Sequence, residues 1–297
     1  MKHPLTEYLA PLFSDEPLIL VDIGARWGVD KRWAALGSSL KAYCFEADAA
    51  ECSRLNAIGH PGVTFIPEAI AGKVGQATLY KTKFEESSGL YRTNDAFFKR
   101  LLNSENAELL SAEEVQTLTL DAAREKHEIP SPDFMKLDVE GAELDIIRAA
   151  TIGGTFGVFS EFRFHKEING CPIFSEMDQH LRARGFMLYD IWVGKQSRKA
   201  LPYPGPRLST KEGRRLFAGT TGGQVMDGDA LYFRDPSVLV NLTRNQILKA
   251  ACMFELFNLN DCAAELLIER EKEAGVDVIH CLDLLAGGSF KTYLESY

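Results

Sequence analysis

Four acidic side chains stand where short apolar runs of this chain end. Asp138 closes Phe134-Met-Lys-Leu-Asp138, and Glu140 and Gly141 make a tight corner directly after it. Glu161 closes Phe159-Ser-Glu161, with His165 four residues further on. Asp22, in Leu18-Ile-Leu-Val-Asp22, runs into a turn with glycines at 24 and 28, and Glu46 ends the run that follows. Open α/β folds bind ligands at the strand-end edge of a parallel sheet, so carboxylates brought there can hold a cation, accept from hydroxyls or take a proton. Histidine is the side chain that exchanges a proton most readily near neutral pH, which adds His165 to Asp138, Glu140 and Glu161 as candidate bases; its plain alternative is a solvated loop residue.

The first turn, Asp22-Ile-Gly-Ala-Arg-Trp-Gly28, lacks the three-glycine dinucleotide pattern. Gly24, with Ala25 beside it, would let the backbone approach a ligand, and Gly28 would admit a tight helix start. An acid at that strand tip repels a diphosphate but suits a ligand with an ammonium group and a sulfonium. S-adenosylmethionine has both. Glu46, next to Ala47, matches two ribose hydroxyls with one carboxylate. Pro67-Glu-Ala-Ile70, after the third run, is the expected adenine wall, with Glu68 accepting from the exocyclic amine and Ala69 offering backbone groups. The plain alternative is a capped turn and a solvated acid.

These residues resemble the FkbM family of S-adenosylmethionine-dependent methyltransferases. The resemblance rests on Val21-Asp-Ile-Gly-Ala25, Phe45-Glu46, Lys136-Leu-Asp-Val-Glu-Gly-Ala-Glu143 and Gly228-Asp-Ala-Leu-Tyr232, with Thr119-Leu-Asp121 and Ser87-Ser88 in support. It spans about Leu18 to Arg234, and Arg26-Trp27 departs from it, since smaller or polar residues are usual there. It implies a doubly wound, seven-stranded, Rossmann-like class I methyltransferase fold and methyl transfer to a hydroxyl of a sugar, glycan or secondary metabolite.

Lys136 lies two positions before Asp138 and so shares its strand face; if buried it needs a carboxylate partner. Glu143, in the first turn of the next helix, reads as structural, favoured by the helix dipole. Asp138, Glu140 and Glu161 also offer oxygen ligands to a divalent metal.

The elements that must position these groups follow an alternating pattern. Expected strands are Leu18–Asp22, Lys41–Glu46, Val63–Ile66, Asp133–Asp138 and Phe156–Phe162. Helical spacing falls at Lys31–Leu36, Ala49–Ala57, Glu143–Ala150 and Ile173–Arg184. Gln76–Lys81 and Val115–Leu120 read as extra strands, after which Asp121 would cap a helix over Ala122–His127. Phe186–Val193 and Ala230–Arg234 read as an antiparallel pair at the sheet edge. They flank an insert, 194–228, with seven basic and two acidic residues and prolines at 202, 204 and 206. Its cations could form a lid that attracts an anionic substrate, or a solvated basic loop. From Pro236 the pattern is helical only, so a methyltransferase domain at 1–235 and a helical appendage at 236–297, suited to packing or self-association into a homo-oligomer, are expected.

Bulk properties bound the rest. The 297 residues, 45% hydrophobic, can bury a sizeable core, and a formal charge of −9 argues against a general nucleic-acid binder. Six cysteines show neither metal-type pairing nor disulfide-framework spacing. No apolar run approaches the ~20 residues needed to cross a bilayer, and the first thirteen residues do not read as a signal peptide, so a cytoplasmic protein is expected. Rival classes are a scaffold that retains the cofactor without turnover and a nicotinamide-dependent oxidoreductase; the missing third glycine argues against the latter.

Overall fold

A computed structural model describes residues 2–102, 104–201, 208–209, 215–217 and 221–288. The strands are β1 (Leu18–Ile23), β2 (Leu40–Phe45), β3 (Val63–Ile66), β4 (Ala69–Ile70), β5 (Gly75–Thr82), β6 (Leu109–Leu118), β7 (Phe134–Leu137), β8 (Gly157–Arg163), β9 (Met187–Gln196), β10 (Leu208–Ser209), β11 (Arg215–Phe217) and β12 (Gln224–Phe233). The α-helices are α1 (Pro4–Leu9), α2 (Ala49–Ile58), α3 (Asp95–Phe98), α4 (Leu120–Lys126), α5 (Glu143–Ala149), α6 (Phe174–Ala183), α7 (Arg244–Leu256), α8 (Asn260–Glu269), α9 (Glu271–Ala274) and α10 (Val278–Leu285). Lys31–Ser39 winds as 3₁₀ turns, capped by Asp30.

Among the described residues the main sheet runs β10-β11-β9-β12-β8-β7-β1-β2-β3. Strands β3, β2, β1, β7 and β8 are all parallel, and β12 lies antiparallel between β8 and β9. The chain winds outward from β1 to β3, then returns to β7 on the other side of β1. That reversal puts the ligand crevice of a doubly wound sheet at the tips of β1 and β7. Buried apolar strands explain the core: β1 is buried at all six positions, as strands covered on both faces must be.

Two apolar layers sandwich the sheet. One joins α1, α7, α8 and α10 with Leu18, Leu20, Phe134 and Phe233. The other joins α4, α5 and α6 with Val21, Ile23, Met135 and Val158. The helices beyond Pro236 therefore share one core with the sheet. Glu255 of α7 accepts from the Leu5 and Thr6 amides at 2.9 and 2.6 Å, satisfying orphan donors at the start of α1. Lys249 is buried 3.1 Å from Asp133, whose carboxylate also accepts from the Ile19 amide at 2.8 Å.

A second sheet, β4-β6-β5, rises between β3 and β7 in the chain and contains both of the extra strands expected there. Three details depart from the sequence reading. Strand β12 is an inner strand, since the sheet continues through β9 to β11 and β10. Thr119 caps α4, its hydroxyl accepting from the Ala122 amide, while Asp121 accepts from the Thr151 amide and hydroxyl. The amino-terminal helix α1 was not anticipated at all. No described helix is long and apolar enough to cross a membrane.

Candidate active site

The tips of β1, β2 and β7 open into a cavity of about 1060 Å³. Gly24, Glu46, Ala47, Glu68, Ala69, Asp138, Glu140 and Glu161 line it, with Ser87, Ser88 and part of the second sheet opposite. The size suits a drug- or cofactor-sized ligand.

Gly24 is fixed by two constraints. Its φ is +83°, and a Cβ there would lie 1.8 Å from the Asp138 carbonyl oxygen. Only glycine lets the β1 turn pass so close to β7. The Gly24 and Ala25 amides both donate to the Phe45 carbonyl, at 2.9 and 3.2 Å, which ties the turn to the tip of β2. Ala25 is buried in the core layer, and Gly28 completes the turn at φ +87°. Trp27 is 73% exposed and lines the cavity mouth.

Glu46 lines the wall with one oxygen accepting from the Asp48 amide at 2.8 Å. Burial raises its pKa, opposed by that amide and by Arg26. Arg26 itself bridges the walls, 3.6 Å from Asp48 and 2.5 Å from Glu85. Glu68 is on the wall but already engaged, 2.6 Å from the Lys126 ammonium and 3.1 Å from the His127 ring. Burial works against its charge, yet these two partners outweigh burial and lower its pKa.

Asp22 sits one layer beneath the wall, 5% exposed and outside the cavity lining. It pairs in register with Lys136, whose ammonium lies 3.3 Å from Asp22, 3.5 Å from Asp138 and 3.0 Å from the Gly24 carbonyl. Desolvation raises the Asp22 pKa against the pull of Lys136, and one Asp22 oxygen has no hydrogen bond. Burial opposes the Lys136 charge, while Asp22 and Asp138 more than restore it. The expected contact of Asp22 with a ligand is therefore not what the structure shows: its carboxylate faces the Lys136 ammonium inside the protein, and Lys136 in turn donates to the Gly24 carbonyl of the turn.

The corner after β7 is held by Glu143, which accepts from the Val139 amide at 2.9 Å and the Gly141 amide at 3.0 Å. Glu140 takes φ +58° and pairs closely with Arg163. Arg163, 6% exposed on β8, gathers Glu161 at 2.9 Å, Glu167 at 3.5 Å and Asp227 at 3.6 Å as well. Glu167 is 1% exposed, and burial pushes its pKa up to about 8 despite Arg163. Asp138, Glu140 and Glu161 each place a carboxylate oxygen within 4.8 Å of the others. The strand-tip acids thus converge.

His165 does not join them. It lies outside the cavity lining, its ring 3.0 Å from the Val225 carbonyl and 2.9 Å from the Gln224 amide, stacked on Phe97. Of the basic insert, Arg207, Lys211 and Arg214 and the prolines at 202, 204 and 206 lie outside the described residues. Arg198 packs over Phe97 and donates to Gln224.

Arg163, Glu167 and Asp227 were missed in the sequence. Arg163 was within reach, because it follows Glu161 by two on one strand face. Asp227 was not, since its register with Arg163 exists only once β12 is known to pair with β8.

A doubly wound sheet with a cavity at the tips of β1, β2 and β7 is an arrangement that binds nucleotide-type ligands or methyl donors. The sequence model of the methyltransferase FkbM domain matches residues 22–188. The chain belongs to this FkbM methyltransferase family, whose cofactor is S-adenosylmethionine. No curated protein matches the chain in sequence. Among solved structures it is similar to a precorrin-6y C5,15-methyltransferase from Geobacter metallireducens, at 9% identity and TM-score 0.33, over 76% of this chain and 86% of that one. It is similar too to a SAM-dependent methyltransferase from Agrobacterium tumefaciens, at 10% identity and TM-score 0.34, over 77% and 60% of the two chains. Likenesses this loose say nothing of substrate.

The residues fit the cofactor. The cavity is large enough, Gly24 brings the backbone to its edge, and Glu46 has an acceptor oxygen beyond the one that takes the Asp48 amide.

Proposed function

We propose that this methyltransferase acts on oxygen, at a hydroxyl of a sugar, glycan or secondary metabolite. The observation that carries the reading is the convergence of Asp138, Glu140 and Glu161 on one cavity with the donor wall. A hydroxyl is a poor nucleophile, and a carboxylate that takes its proton adds ~10²–10⁴-fold to the rate. An amine acceptor would need less.

S-adenosylmethionine, when bound, supplies a methyl on a sulfonium, a leaving group already in place. Glu46 accepts from the ribose hydroxyls, Gly24 lets the chain close on the methionine end while Ala25 packs into the core behind it, and Ala47, Glu68 and Ala69 flank the base. The acceptor lies against the strand-tip acids, one of which holds its hydroxyl and receives the proton. Arg163 keeps Glu140 and Glu161 in place, so the base is positioned before the acceptor arrives. Alignment in a cavity that excludes water can contribute ~7–11 kcal/mol to lowering the barrier.

The described wall carries Glu46, Asp48, Glu68, Glu85, Glu113, Asp138, Glu140, Glu161, Glu167 and Asp227 against Arg26, Lys81 and Arg163. That surplus of acid favours a neutral, hydroxyl-rich acceptor over a phosphate-bearing one. Radiolabelled methyl transfer to a panel of sugars, glycans and hydroxylated metabolites tests the reading. Label should appear on oxygen and should be lost in Glu161→Gln. Label confined to nitrogen or carbon acceptors would overturn it.

A further inference from the structure

We propose that Asp138, Glu140 and Glu161 form a binding site for one hard divalent cation, of the magnesium, manganese or calcium class, at the tips of β7 and β8. Three separate backbone positions, the end of β7, the corner after it and the body of β8, bring ligand oxygens within 4.8 Å of one another. All three side chains line the donor cavity. An all-oxygen set suits hard cations, which bind carboxylates and keep some water.

A second observation points at the same place. Glu167 is 1% exposed, lines the same cavity, and its Oε2 has no hydrogen-bond partner. Its other oxygen lies 3.5 Å from Arg163, which also holds Glu140 and Glu161. A buried carboxylate oxygen without a partner is costly unless a cation or an ordered water meets it.

Charge reinforces the geometry. Arg163 is shared by Glu140, Glu161, Glu167 and Asp227, and Lys136 by Asp22 and Asp138, so each of these two cations is divided among several acids. The carboxylates keep these partners when a metal binds, because each oxygen accepts at more than one position. The site stands on this geometry alone. Only its role, polarising the acceptor oxygen, rests on the methyl-transfer reading.

Manganese(II) titrated into the full chain, stripped with chelator and followed by electron paramagnetic resonance, tests the site. One site should saturate below about 1 mM and be displaced by magnesium or calcium. Asp138→Asn and Glu161→Gln should each weaken it at least about tenfold, while Glu114→Gln, an exposed acid on the second sheet outside the cavity lining, leaves it unchanged. In the unmodified protein, bound manganese should broaden the proton resonances of S-adenosylhomocysteine, a readout that needs no variant to fold. No saturable site, unchanged affinity in the two variants, or unbroadened resonances with both ligands bound would overturn the proposal. Calorimetry with S-adenosylhomocysteine on metal-free protein reads the donor site separately, so either site can fail without the other.

Discussion

At the scale of single residues, the turn after β1 is the least tolerant point of the site. Gly24→Ala would place a methyl 1.8 Å from the Asp138 carbonyl in a left-handed conformation. Either effect alone is destabilising, and together they should cost above about 3 kcal/mol, seen as a large drop in the denaturant midpoint or loss of soluble protein. Glu167 sets a pH dependence. Its folded pKa, near 8, lies above the ordinary carboxylate value of 4.5, so the folded chain keeps a proton that the unfolded chain releases. Stability of the metal-free protein therefore falls as pH rises between those two values, by a few kcal/mol at most. In Glu167→Gln that slope should flatten, raising the melting temperature at pH 9 more than at pH 5. The sequence displayed Asp138, Glu140 and Glu161 because strand-end acids announce themselves beside apolar runs. It hid the true partner of Asp22. Alternation placed Lys136 on the same face as Asp138, but only the β1–β7 register reveals the ammonium between Asp22 and Asp138. His165 looked like a base because of its chemistry, and the packing of Phe97 and Gln224 instead holds it away from the cavity.

At the scale of elements, the five parallel strands and their apolar runs were legible to within a residue or two, since buried parallel strands read as continuous hydrophobic segments, whereas β12 starts six residues before the expected Ala230. Their order was not. Nothing local distinguishes β12 as an inner strand, and pairing is decided by contacts across more than sixty residues of chain. The caps show a similar limit: Asp121 and Thr119 are both good N-caps, and the Thr151 amide decides between them. Helix α7 carries a prediction of its own. Lys249→Met would leave Asp133, whose pKa burial already raises, without its ammonium. Breaking such a buried pair should cost about 3 kcal/mol in chemical denaturation.

For the whole molecule, the helices after Pro236 read as an appendage because their pattern is purely helical. The structure shows them sharing one core with the sheet: Ile247 to Leu256 are all buried, and Glu255 reaches back to cap α1. Expression of residues 1–235 should thus give insoluble or unfolded chain rather than a free methyltransferase domain, as circular dichroism and solubility would show. The molecule as described is a layered scaffold that delivers strand tips to one cavity, and the account depends on that cavity receiving the methyl donor. Isothermal calorimetry with S-adenosylhomocysteine, on the unmodified chain and on Glu46→Ala, tests this most directly. One site per chain, weakened at least about tenfold by the substitution, is the outcome predicted if this half-buried carboxylate accepts from the ribose as proposed. Absence of binding, or equal affinity in the two proteins, would contradict it.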